Sequence, residues 1–218
     1  MYDLDWFKTS IKNTDPVQFL DHFEELCTRL QKERGFLAFA MIIYDETIPE
    51  MKKALRDKDF WKALDKTSGN RLIVFTLRDK EEQEYQTVQR LMISMPMNSN
   101  EDYDKRYSKI LKILFQDESL LAYPSILFFQ VVDGTISEYR LVPLSRGTQW
   151  EVFQRLQKLL GSIADVLCKV TPENYKNKRE IFNLIIEELK LQKLTLYITH
   201  GPKQVADFVA ILRTLFFI

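Results

Sequence analysis

The run Tyr123-Pro124-Ser125-Ile126-Leu127-Phe128-Phe129-Gln130-Val131-Val132-Asp133-Gly134 constrains the fold more than any other stretch of the chain. A proline is followed by an apolar segment of strand length, and Asp-Gly is the strongest short hairpin signal there is. A second strand must therefore return antiparallel. Ile136 to Val142 has the alternation for it and stops at Pro143, which suits a strand at the edge of a sheet.

The residues before this hairpin supply parallel pairing. Phe36 to Tyr44 is apolar throughout and without alternation, as expected of a strand covered on both faces. Arg71 to Leu77 is a second such strand. The stretch between them starts at Thr47-Ile48-Pro49-Glu50, whose spacing is that of a capping box. It continues through Met51, Ala54 and Leu55 and then Phe60, Trp61 and Leu64, until Thr67-Ser68-Gly69-Asn70 breaks it. Strand, helix and strand at this separation make a βαβ unit with parallel strands.

Helices account for most of the rest. Asp15-Pro16 opens one that carries Phe19, Phe23, Leu26, Cys27 and Leu30 at helical spacing and ends at Gly35. Residues 85–97 fit a strand or a short helix equally well. Tyr103, Tyr107, Ile110, Leu111, Leu114 and Phe115 mark an amphipathic helix. Thr148-Gln149-Trp150-Glu151 is another capping box, opening a helix that runs towards Cys168. Thr171-Pro172 is expected to open the next helix, with Ile181, Phe182, Ile185, Ile186 and Leu189 on its apolar side. Leu194 to Ile198 reads as a short strand, and Val205, Phe208, Val209 and Leu212 as a last helix.

Composition narrows the chemistry. Thirty-one basic residues balance thirty-one acidic ones, so no net charge draws the chain to nucleic acid or to an anionic membrane. The longest apolar run falls well short of the roughly 20 residues of a membrane span. The start, Met1-Tyr2-Asp3-Leu4-Asp5, lacks the layout of a signal peptide, and cytoplasmic location is the expectation. Cys27 and Cys168 make neither a disulfide framework nor a metal-ligand pattern. His22 and His200 have no Cys, Ser or acidic signature beside them, so no triad, metal site or cofactor is expected. The acidic pairs Asp57/Asp59 and Asp102/Asp104 sit at helix starts, where the dipole favours carboxylates. The glycines are scattered singly, with no phosphate-binding motif among them.

From Phe36 to Cys168 the order is strand, helix, strand, helix, proline, strand, Asp-Gly hairpin, strand, helix, and this resembles the thioredoxin-like fold. The resemblance implies an α/β protein with a three-layer core and a mixed sheet over 36–168. A helical segment at 1–35 would precede it, and a mostly helical extension at 169–218 would pack on it. The family carries Cys-x-x-Cys at the start of its first core helix, where Thr47-Ile48-Pro49-Glu50 stands here. Thiol exchange needs a thiolate, so the resemblance implies a redox-inactive member. The family also places a cis-proline before its third strand, at the position of Tyr123-Pro124; a trans proline starting a strand is the local alternative.

The function implied is non-catalytic binding of a protein or peptide. Its candidate residues are Thr47, Pro49, Glu50, Tyr123, Pro124 and Ser125. The competing reading is an enzyme like the glutathione transferases, in which Tyr123 would contact the glutathione backbone. Leu215-Phe216-Phe217-Ile218 either tucks into the core or forms an interface, which would make a homodimer.

Overall fold

The computed structural model describes residues 16–43, 58–79, 92–97, 124–144, 147–192 and 194. It is an α/β structure with a mixed five-stranded sheet and helices on both faces. The first helix, α1 (Pro16–Arg34), has proline at its first position and ends where the Gly35 N–H donates to the Gln31 carbonyl at 3.1 Å. Phe23, Leu26, Cys27 and Leu30 are buried along one side of it, at the spacing that sets them on a single face.

Strand β1 (Ala38–Ile43) is the middle of the sheet. On one side it pairs in parallel with β2 (Leu72–Asp79), reached through α2 (Lys58–Ser68). On the other side it pairs antiparallel with β4 (Ser125–Val132). Strand β3 (Met92–Met97) lies parallel to β2 at one edge, which settles a strand for the later part of the ambiguous 85–97 stretch. Strand β5 (Thr135–Pro143) lies beyond β4, antiparallel to it. The β4–β5 turn has φ of 52° at Asp133 and 85° at Gly134, the two positive values of a type I′ turn, whose twist matches that of the flanking strands. The sequence reading of one parallel pair and one Asp-Gly hairpin is therefore correct, and so is the edge position of β5 among the described residues.

Alternation along the strands divides the core. Phe39, Phe75 and Phe129 face α1, where Phe23 lies 5.0 Å from Phe75 and 5.7 Å from Phe129 between ring centroids. The opposite face carries Ala40, Val74, Phe128 and Val142 against α2, α3 (Gln149–Cys168) and α4 (Lys178–Leu191). Gly161 of α3 lets that helix approach α2 closely, since a Cβ there would stand 3.2 Å from the Thr67 methyl. Because β1 is covered on both faces, Ala38 to Ile42 are all buried, which explains an apolar run without alternation.

One sequence expectation needs correcting. Thr171-Pro172 opens only a single 3-10 turn, Pro172–Asn174, and not the helix that follows. That helix, α4, has its own cap: the Asn177 side chain accepts the Glu180 N–H. The chain turns at Tyr175 and Lys176, and Asn177 starts the helix afresh, as side chains of that type do. The expected capping box of α3 is present, with Glu151 N donating to Thr148 Oγ1 and Thr148 N donating to Glu151 Oε2. The expected helix at 103–115, the last helix from 205, and the Thr47 start of the first core helix lie outside the described residues. So do residues 195–198 of the short strand read at Leu194.

Candidate functional site

The sheet register brings two of the candidate residues to one place. Ser125, the first residue of β4, stands opposite Ile43, the last residue of β1, and on its other side opposite Pro143 of β5. The Pro124 carbonyl accepts from the Leu144 N–H at 2.8 Å, which ties the start of β4 to the exit of β5. The juncture thus lies at the carboxyl ends of the parallel strand β1 and of β5, the side of an open α/β sheet where ligands bind. Pro124 and Ser125 are buried, and the Ser125 hydroxyl has no hydrogen-bond partner among the described residues. A buried hydroxyl left unpaired costs about 1–3 kcal/mol.

Thr47, Pro49, Glu50 and Tyr123 lie outside the described residues, as do His200 and the terminal Leu215, Phe216, Phe217 and Ile218. Among the described residues no peptide bond is cis; the Tyr123–Pro124 bond includes one residue beyond them. Following β5 on the same side, α3 opens with Trp150, which is exposed and packs its ring 5.5 Å from that of Phe153. That aromatic pair escaped the sequence reading because Trp150 sits inside the capping motif.

The two thiols occupy opposite environments. Cys27 is wholly buried, and burial pushes its thiol well above the ordinary range, with the charge of Glu24 adding to the effect. Cys168 is exposed at the end of α3, and neither forms a disulfide. A thiol reagent added to the native protein is expected to label Cys168 within minutes and Cys27 only once denaturant is present. Peptide mapping after labelling reads the difference.

Two buried polar side chains gather at the other end of the sheet, around a bulge between Gln130 and Val131. The Val131 N–H donates to Gln130 Oε1 at 3.2 Å, and the Ile136 N–H donates to Glu24 Oε1 at 2.7 Å. A bulge strips ladder partners from the backbone, and these side chains replace them. Desolvation raises the carboxyl of Glu24 above its ordinary value of 4.5, against the lowering effect of the Ile136 N–H, while Asp21 adds to the rise. Its folded-state pKa lies above the unfolded one. The resulting stabilisation is full below about pH 4.5 and is lost as pH rises through the folded value. Relative to Glu24→Gln, the wild type should therefore gain melting temperature as pH falls from 7 towards 4. A constant offset between the two would contradict this.

A third feature is an open groove of about 260 Å³ between the end of α3 and the start of α4. Val166, Val170, Ile181 and Leu184 give it apolar walls, and Lys169 and Glu180 stand at its margin. Among the described residues no three His, Cys, Asp or Glu side chains are grouped to hold a metal ion, and no helix is long and apolar enough to cross a membrane. No family model, no curated protein and no solved structure matches the chain.

Proposed function

We propose that the chain is a redox-inactive member of the thioredoxin-like fold that works as a non-catalytic binding module for a protein or an extended peptide. The observation that carries the reading is the sheet. A central strand has a parallel neighbour on one side and an antiparallel hairpin on the other, and a helix follows the hairpin. That is the order and sense of strands in the family the sequence resembles. In such a framework the partner would sit across Thr47, Pro49, Glu50, Tyr123, Pro124 and Ser125. The strand ends that meet at Ser125 and the exposed Trp150 at the start of α3 support a ligand with both polar and apolar groups, as a peptide has.

A balanced net charge supports a partner that is neither nucleic acid nor an anionic membrane. No reaction is assigned to the juncture, because the position of the family's reactive cysteines holds Thr47 and Glu50. The terminal Leu215-Phe216-Phe217-Ile218 would then serve either the core or a homodimer interface.

The test is a set of assays on one purified sample. Selection from a random linear peptide library should give a consensus that binds in solution, with no insulin reduction and no retention on immobilised glutathione. Retention on glutathione with turnover of an electrophile would replace this reading with a transferase-like enzyme. Insulin reduction would overturn redox inactivity.

A further inference from the structure

We infer that Lys178, the first residue of α4, is a nucleophilic amine and the site at which the chain takes up an acyl group from an acyl phosphate. The inference is independent of the proposed function, because Lys178 lies at the opposite end of the sheet from Ser125.

Lys178 stands where α4 meets the sheet. Its carbonyl accepts from Gln130 Nε2 at 3.2 Å, and the same nitrogen donates to the Leu37 carbonyl at 2.8 Å. The residue is thereby held at the joint of α4 with β1 and β4. It is half-buried there, whereas Lys176 and Arg179 on either side of it are exposed.

Among the described residues no carboxylate pairs with this ammonium. The acids that flank it are engaged by others: Glu180 Oε2 accepts from Asn177 Nδ2, and Glu138 of β5 faces Arg179 at 4.0 Å. The remaining charges around the joint are cations. Arg140 lies 5.8 Å from the centre of the Phe182 ring, and Arg71 lies 4.8 Å from that of Tyr175, with Lys176 and Arg179 beside Lys178 in the chain. A cation in the first turn of a helix also meets the positive end of the helix dipole. Burial lowers the Lys178 ammonium from its ordinary value of 10.5, and the dipole and the neighbouring cations act in the same direction. Lys62 and Lys190 are the contrast, since each holds a carboxylate, Asp59 at 3.3 Å and Glu187 at 2.8 Å. Desolvation beside other cations is what activates a lysine amine, because more of it is neutral near pH 7.

In the step itself the Nζ lone pair attacks the acyl carbon, and the bond from that carbon to the phosphate oxygen breaks. Inorganic phosphate leaves, and Nζ gives up a proton to solvent. The product is a neutral amide. It removes a cation from the positive end of α4, so the modified residue is compatible with the helix.

The test is acetylation of the whole chain with acetyl phosphate over a range of pH, with the modified lysines located by mass spectrometry. At pH 7 the native protein should be acetylated several-fold faster at Lys178 than at Lys62 or Lys190. The Lys178 rate should also level off at a lower pH than theirs, and the preference should vanish in denaturant. A Lys178 no faster than the other two in the native protein would overturn the inference. So would a rate that levels off at the same pH as theirs, or a preference that survives unfolding and therefore belongs to the local sequence.

Discussion

Gln130→Leu is expected to destabilise the protein by about 3–4 kcal/mol, a fall of roughly 10 °C in melting temperature for a chain of this size. The side chain is fully buried and uses both ends of its amide. Its Oε1 accepts from Gln31 Nε2 at 2.9 Å and from the Val131 N–H at 3.2 Å. Its Nε2 donates to the Leu37 carbonyl at 2.8 Å and to the Lys178 carbonyl at 3.2 Å. One residue thus joins the end of α1, the start of β1, the bulge in the β4–β5 pairing and the first residue of α4. Leucine fits the volume and supplies none of these bonds. The Val131 N–H and the Leu37 carbonyl would then lose a partner, at about 1–3 kcal/mol for each that stays buried and unpaired. Denaturant unfolding should show a lower midpoint with an unchanged slope. A loss under about 1 kcal/mol would mean that water or a shifted backbone replaces the bonds.

Phe129→Ala should cost about 3–5 kcal/mol, the range for removing a core aromatic. Phe129 lies 5.3 Å from Phe39, 5.7 Å from Phe23 and 6.1 Å from Phe75, so its ring is the shared neighbour of three others. Those contacts join β1, β2 and β4 to α1. The cavity left behind would loosen α1 before it separated the strands, because a hydrogen-bonded ladder holds β1 to β4. Cys27, buried on the same helix, is a built-in reporter of that loosening. Its labelling by a thiol reagent under native conditions should speed up in Phe129→Ala and stay slow in the wild type.

The same residues show why some of the fold could be read from the sequence and some could not. The buried strands were legible because a strand covered on both faces must be apolar at every position, as Ala38 to Ile42 are. Asp133-Gly134 was legible because few residue pairs accept positive φ twice in succession. The capping box at Thr148 was legible because both partners lie within one turn.

The bulge was not. Glu24 reaches Ile136 and Gln130 reaches Leu37 and Lys178 across long stretches of chain, and no periodicity records a pairing of that kind. Gln130 inside an otherwise apolar strand was the one available hint, since a polar side chain there must find partners. The break before α4 was hidden for a related reason: a proline that suits the start of a helix suits a 3-10 turn equally well. Of the candidate site, the sequence located Pro124 and Ser125 at the start of a strand, but their place beside Ile43 follows from a register that only the folded sheet supplies.

The most direct test of the binding-module account is nuclear magnetic resonance mapping of a library-selected peptide on isotope-labelled protein. The account predicts that backbone shifts change most at Ile43, at Ser125 and Ile126, and at Leu144, with the indole of Trp150 following. Changes confined to Val170, Ile181 and Leu184, in the groove between α3 and α4, would contradict it.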